Sequence, residues 1–120
     1  MEPVMKTLAL TLLLLTVSGC ATRRAAQTTH ALNELKMLVL ACHNYSSTYR
    51  KLPDKLDDVA QFLHGAEMDL SAYELLYTGR VEACETPSET LLLRQREPLP
   101  GGEQAVAYVD GSVEALPANH

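Results

Sequence analysis

The sequence predicts an α+β domain in which a long amino-terminal helix and a short helix pack on a small antiparallel sheet of three to four strands. Apolar residues recur at three- and four-residue steps in the first half of the chain, which is the period of one helix face. In the second half the pattern alternates between turn residues, which is typical of strands.

The long helix is the best-defined element. It is expected to end before Pro53, because the residue before a proline is pushed away from helical angles. Met37, Leu40 and Ala41 widen its apolar side, so we expect the rest of the domain to cover the helix well. The residues of its apolar face are Leu32, Leu35, Leu38, Val39, Cys42, Tyr45 and Tyr49.

A second, shorter helix is expected directly after Pro53. Asp54 can cap it, and Asp57 and Asp58 lie in its first turn, where the positive end of the helix dipole favours acidic side chains. Gly65 suits its end. The expected buried stripe consists of Leu56, Val59, Ala60 and Leu63.

Alternating residues then predict two strands. The first ends at Gly79, and the second covers residues 90–96 with Leu91 and Leu93 on one face. A loop rich in proline and glycine follows over residues 98–102. The residues that share one side of the first strand are Tyr73, Leu75 and Tyr77.

The chain closes with a predicted hairpin. The Asp-Gly pair at positions 110–111 lies between alternating segments and predicts a two-residue turn. With that turn Tyr108 opposes Val113 and Val106 opposes Ala115, which makes one face apolar.

The first two dozen residues have the pattern of an export signal. Lys6 gives a positive start, Thr7 to Val17 is almost unbrokenly apolar, and small residues lead to Cys20. This pattern describes a secretory signal peptide, and the run is shorter than the roughly 20 apolar residues that span a bilayer. Met5 is an alternative start, because the chain from Met5 makes a more ordinary signal.

The segment Val17-Ser18-Gly19-Cys20 resembles the lipobox of bacterial lipoproteins. The resemblance implies cleavage between Gly19 and Cys20, transfer of diacylglycerol to the Cys20 sulfur, and acylation of the new amino terminus. Two or more acyl chains would hold the protein firmly on a membrane. An ordinary secreted protein cut elsewhere and an uncleaved anchor are the alternatives.

The expected organisation therefore has three parts. Residues 1–19 form a lipoprotein signal peptide, residues 20–29 a lipidated amino terminus and tether, and residues 30–117 a single domain with a modest core. Residues 23–29 are alternatively the first turns of the long helix.

Charge and sorting indicate which partners to expect. The formal net charge of −5 gives no electrostatic hold on phosphate backbones, so we expect no nucleic-acid partner. The expected partner is the membrane, through the lipid anchor. Ala21 after the cysteine resembles outer-membrane sorting, so we expect a cell-envelope location on the outer membrane, facing the periplasm, in preference to the inner membrane.

Two longer segments carry a second resemblance. The helix segment LKMLVLACHNYSSTYRKLPDKLDDV (Leu35 to Val59) resembles pilin-like proteins abundant in planctomycetes and verrucomicrobia, and VAYVDGSVEAL (Val106 to Leu116) resembles their closing hairpin. The order of long helix, short helix and antiparallel sheet is similar to that of type II secretion pseudopilins. The resemblance covers about Leu32 to Leu116, and it implies a pseudopilin-like domain associated with a type II secretion or pilus-like system.

One departure limits what the resemblance implies. Pseudopilins carry a prepilin-peptidase site that leads into a long apolar helix, and the lipobox stands in that place here. The lipid is therefore expected to replace the protein anchor, so that the domain is displayed on a membrane and is not built into a filament.

The residue types do not form a recognisable catalytic, cofactor or metal site. The histidines lack metal-ligand spacing, and His43, beside Asn44 and Tyr45, is expected to be a surface or helix-packing residue. We therefore expect a non-enzymatic structural or interaction module, with a small ligand-binding envelope lipoprotein or enzyme as the alternative. The histidines are His30, His43, His64 and His120.

Cys42 and Cys84 remain after lipidation of Cys20. In an oxidising envelope these two cysteines could form a disulfide. Cys42, however, lies on the apolar face of the helix, where a free cysteine behaves as a small hydrophobe. Two free thiols are therefore the alternative.

Overall fold

A computed structural model describes the backbone of residues 2–117 and the side chains of residue 23 and residues 25–117. Its first element is helix α1, Glu2–Tyr49, whose 48 residues make it about 72 Å long. The helix ends where Arg50 takes a left-handed φ of 66° and donates its N–H to the carbonyl of Ser46 at 2.7 Å. The predicted end before Pro53 is confirmed.

One side of α1 contributes to the core. Leu35, Leu38, Val39 and Cys42 are buried as predicted, and Ala31 joins them. The expectation that the domain covers the widened apolar side is wrong in part, because only Ala41 of the three added residues is buried. Among the helix residues whose side chains are described, the exposed large apolar ones are Met37, Leu40 and Tyr49.

The predicted short helix is a 3-10 helix over Leu56–Phe62. Side chains three residues apart are eclipsed in this tighter helix, which suits the spacing of Leu56, Val59 and Phe62. Leu56 and Val59 are buried, whereas Ala60 is exposed, so the predicted stripe is correct only in part. Two shorter 3-10 turns follow at Leu70–Ala72 and Val81–Ala83.

The start of this 3-10 helix differs from the prediction. Lys55 occupies the cap position without a side-chain hydrogen bond, and Asp54 instead accepts one from Lys51 Nζ at 3.2 Å. Asp54 is therefore not the cap. Asp57 and Asp58 lie in the first turn as expected.

The second half of the chain forms a four-stranded antiparallel sheet in the order β1-β2-β3-β4. All described neighbours along the sheet are also neighbours in sequence, so the sheet is a simple meander. The predicted α+β architecture is confirmed. The strands are β1, Tyr73–Leu75; β2, Leu91–Gln95; β3, Gln104–Tyr108; and β4, Val113–Leu116.

An irregularity in β2 changes which leucines face the core. Leu91 pairs with Tyr108 and Leu93 with Ala107, so Leu92 is an extra residue opposite consecutive positions of β3. Such a bulge locally breaks the alternation of the strand. Leu92 and Leu93 are both fully buried, while Leu91 is half-buried, which corrects the prediction that Leu91 and Leu93 lie on one face.

The closing hairpin is present in a different register. The Tyr108 N–H donates to the carbonyl of Ser112 at 2.8 Å, and the Gly111 N–H donates to the carbonyl of Tyr108 at 2.9 Å. The loop therefore has three residues, 109–111, and Gly111 takes the left-handed φ of 95° that such a loop requires. The predicted pairing of Tyr108 with Val113 is wrong.

The register that results puts four small apolar residues on the core side. Ala107 pairs with Val113 and Ala105 with Ala115, and all four belong to the cluster packed against α1. Val106, predicted to face Ala115, instead lies opposite Glu114. One face of the sheet therefore packs on α1, and the other carries the charged side chains.

Candidate functional site

The predicted lipidation site lies in the first half of α1, 18 residues after its first residue. The backbone of Gly19 and Cys20 falls within the helix Glu2–Tyr49, and the two side chains lie outside the described residues. The same helix continues through residues 23–29 into the domain. Within the part of the chain whose side chains are described, no helix combines the length and apolar content needed to cross a bilayer.

His43 joins α1 to the tip of the closing hairpin. Its Nε2 lies 2.8 Å from the carbonyl oxygen of Val109. Because a carbonyl can only accept, Nε2 is the ring nitrogen that carries the proton in this bond. His43 therefore packs the helix against the hairpin, which agrees with the helix-packing role expected for it.

The hairpin tip itself is held by Asp110. Its Oδ1 accepts hydrogen bonds from Ser112 Oγ at 2.6 Å and from the Ser112 N–H at 2.9 Å. These bonds, with a smaller contribution from nearby His43, lower the pKa of the Asp110 carboxyl. The carboxylate thus keeps the turn in the shape that places Val109 beside His43.

A cleft of about 260 Å³ lies beside this junction. Exposed Leu40 forms its apolar wall, and the imidazole that lines it already bonds the hairpin backbone. The cleft can therefore take an apolar contact more readily than it can place a free base next to a substrate. Its lining residues are Lys36, Val39, Leu40, His43, Asp110 and Gly111.

A second polar group lies where α1 meets β1, and the sequence pattern did not indicate it. Tyr73 Oη donates to Glu34 Oε1 at 3.0 Å, and His30 Nε2 lies 3.3 Å from Glu34 Oε2. Burial of the Tyr73 ring, followed by the bond to Glu34, raises the pKa of the Tyr73 hydroxyl. The four-residue spacing of His30 and Glu34 on a helix was the available signal for part of this group.

Next to this group, a cleft of about 430 Å³ separates α1 from the loop between β2 and β3. Leu99 anchors the loop in the core, whereas the flanking Pro98 and Pro100 are exposed. Gln95 also lines the cleft, and its Oε1 is buried without a hydrogen-bond partner among the described residues. From the helix the cleft is lined by Ala26, Gln27, His30, Ala31 and Glu34.

The outer face of the sheet carries an ion pair between neighbouring strands. Arg94 Nη2 lies 2.5 Å from Glu74 Oε2, and the two residues are partners in the register of β1 and β2. The hydrogen bond from Arg94 lowers the pKa of the Glu74 carboxyl. Both side chains are about one-third exposed, so the pair contributes little to stability but keeps this face polar.

Cys42 and Cys84 are both free. Cys42 is completely buried in the core, and burial raises the pKa of its thiol to about 12. Cys84 is half-buried next to the Tyr77 hydroxyl. The low thiolate content of a buried cysteine makes Cys42 an inert packing residue.

The other histidines do not converge on a site. His30 pairs with Glu34, and His64 is exposed at the end of the 3-10 helix with a left-handed φ of 52°. His120 lies outside the described residues. Among the side chains that the structure describes, histidine, cysteine, aspartate and glutamate form no group of three or more suited to a metal ion.

Fold and site together define a small α+β domain built on an extended amino-terminal helix, with structural polar groups at both ends of the helix–sheet contact. A family model described as "Protein of unknown function (DUF1559)" matches residues 21–67. These residues include α1 from residue 21 to its end and the 3-10 helix Leu56–Phe62. This family is typical of planctomycete pilin-like proteins. No curated protein and no solved structure matches the chain.

The matched segment agrees with one of the two motifs that carried the pilin-like resemblance. It contains Leu35 to Val59 and ends before the sheet begins. The closing motif, Val106 to Leu116, lies outside it. The similarity therefore covers the helical part of the domain, less than half of the chain.

Proposed function

We propose that the protein is a lipid-anchored, non-enzymatic, pseudopilin-like protein of the cell envelope that acts as a structural or interaction module. The observation that carries the proposal is the position of Cys20 on the helix that also forms the core of the domain. A pseudopilin holds its domain on a membrane through the helix at the same place. Here acyl chains on Cys20 replace the apolar part of that helix.

Two further observations support this proposal. The similarity of residues 21–67 to a family of pilin-like proteins covers the helix that joins the anchor to the domain. The imidazole of His43 bonds Val109, so the most conspicuous histidine serves the packing of the hairpin. This supports a structural module over the alternative of a small ligand-binding lipoprotein or enzyme.

The anchor is tested by labelling cells that express the full chain with a radioactive or clickable palmitate. The wild-type protein should carry the label and partition into detergent, with its amino terminus at Cys20 by mass spectrometry. Cys20→Ser should lose both properties, and Cys84→Ser should keep them as the matched control. A wild-type protein without the palmitate label would contradict the proposed lipid anchor.

The envelope role is tested by crosslinking in intact cells of the source organism. The lipidated protein is then purified together with the proteins crosslinked to it. We propose that components of a type II secretion or pilus-like system are recovered, and that the protein fractionates with the outer membrane. The Cys20→Ser variant should recover none of these components and should not fractionate with the outer membrane. Repeated recovery of envelope proteins without any secretion or pilus component would contradict the association with such a machine.

A further inference from the structure

The loop between β2 and β3 lies at the end of the domain from which α1 leads back to Cys20. Pro98, Leu99 and Pro100 face Ala26 and His30 across the cleft. Ala26 follows Cys20 by six helical residues, which corresponds to a rise of about 9 Å. A lipid on Cys20 would therefore place this loop within reach of the bilayer surface.

The connection between anchor and domain is a helix and not a flexible linker. Helix α1 is continuous from Glu2 to Tyr49, and one face of it between Ala31 and Cys42 is packed in the core. The domain is therefore held in one orientation relative to Cys20. The opposite end of the domain, where Tyr45 lies beside Ala60, is about 29 Å further along α1 than Ala26.

The chemistry of this end suits a phospholipid headgroup layer. Pro98 and Pro100 are exposed apolar residues, and the loop from Pro98 to Gly102 is uncharged. Charges of both signs border it, with exposed Arg23 on α1 and exposed Glu97 and Glu103 on either side of the loop. A zwitterionic headgroup presents a phosphate to Arg23 and an ammonium group to Glu97 and Glu103.

We propose that the surface formed by the Pro98–Gly102 loop and residues 23–30 of α1 lies on the zwitterionic headgroup layer of the membrane that holds Cys20. We call it the membrane-facing surface. The inference rests on the proposed lipid anchor and adds the orientation of the domain and the residues that contact the bilayer. An anionic headgroup layer suits it less well, because such a layer would attract Arg23 and Arg24 but repel Glu97 and Glu103, whereas a zwitterionic layer offers both charges.

The test uses the full lipidated chain, reconstituted into phosphatidylcholine vesicles that contain a nitroxide quencher on the headgroup. A fluorophore is attached to single cysteines in a Cys84→Ser background, where Cys42 is buried and does not react. Gly101→Cys places the dye on the membrane-facing surface, and the backbone there does not require glycine. Ala60→Cys, exposed at the far end, is the matched control.

We expect the dye at position 101 to lose most of its fluorescence to the headgroup quencher and the dye at position 60 to lose little. The loss at position 101 should become smaller when phosphatidylglycerol replaces phosphatidylcholine. Equal quenching at both positions on vesicle-bound protein would overturn the proposed orientation. Failure of the wild-type protein to float with vesicles would instead overturn the lipid anchor, so the two failures are distinguishable.

A second copy of the chain is the competing occupant of this surface. It would protect the dye at position 101 from a water-soluble quencher in detergent as well, and the protection would rise with protein concentration. That result, without headgroup quenching in vesicles, would also overturn the proposal.

Discussion

His43 on α1 and Val109 at the hairpin tip are joined by a 2.8 Å hydrogen bond between residues 66 positions apart in the chain. The bond connects the first long element of the domain to its last hairpin. It satisfies a carbonyl in the loop of the hairpin, where the ladder of the sheet has ended. His43 therefore fixes the position of the last hairpin against α1.

Replacing His43 with alanine should lower the free energy of unfolding by about 1–3 kcal/mol, because the Val109 carbonyl loses its partner in a partly buried place. Ser47→Ala, on the exposed face of the same helix, should have almost no effect. Chemical denaturation monitored by circular dichroism measures both. Equal stabilities of the two variants would show that the His43 bond is not made in solution.

The bulge in β2 makes a prediction about two neighbouring leucines. Leu92→Ala should cost about 2–5 kcal/mol, because Leu92 is fully buried and its removal leaves a cavity. Leu91→Ala should cost clearly less, since Leu91 is half-buried. Thermal or denaturant unfolding of both variants decides the point. A larger loss for Leu91→Ala than for Leu92→Ala would contradict the bulge and would indicate regular alternation along β2.

The three-residue hairpin loop makes a prediction about glycine. Gly111→Ala should cost about 1–2 kcal/mol, because an alanine at the left-handed φ of 95° brings its Cβ close to the backbone. Gly101→Ala is the matched control, since its φ is not in that region and the new methyl group meets only ordinary contacts. Comparable losses of unfolding free energy in both variants would contradict the left-handed conformation of Gly111 in this loop.

The two cysteines should differ in reactivity. In the native lipidated protein a thiol reagent should modify Cys84 quickly, and Cys42 only after denaturation, because Cys42 is buried with a pKa of about 12. The Cys84→Ser variant should lose the fast reaction and keep the slow one. A protein purified under oxidising conditions that shows no thiol until it is reduced would instead establish the Cys42–Cys84 disulfide.

The Tyr73–Glu34 contact predicts a loss of stability in alkali. The pKa of the Tyr73 hydroxyl is raised in the folded state, so the unfolded chain ionises first as the pH passes about 10. The stabilisation is therefore complete below that pH and is lost as the pH rises further. Tyr73→Phe should show a smaller decrease in unfolding free energy over this range. Parallel decreases for variant and wild type would contradict the assignment.

Local patterns predicted the elements well where one segment alone decides them. The apolar spacing from Leu35 to Cys42 placed the buried face of α1, and the Asp-Gly pair at 110–111 located the last turn. The same patterns were less reliable after Pro53. Apolar residues three apart, at Leu56, Val59 and Phe62, fit a 3-10 helix as well as an α-helix.

The exposed face of α1 was predicted less well for a different reason. Met37 and Leu40 continue the apolar pattern, but the sheet and the 3-10 helix cover only one side of the helix. Which apolar residues are covered depends on how wide the opposing surface is, and a helical pattern does not contain that width. The polar groups at Glu34 and Tyr73 were missed because they meet across 39 positions.

The sequence by itself determined the α+β class, the helix that carries the core, the turn before the last strand and the lipobox-like segment that ends at Cys20. These features depend on short-range periodicity and on the chemistry of adjacent residues. Only the tertiary structure decided the bulge at Leu92, the register of Ala107 against Val113, and the bond from His43 to Val109. Each of these depends on the alignment of segments that are distant in the chain, and that alignment is set by the packing of the sheet on α1.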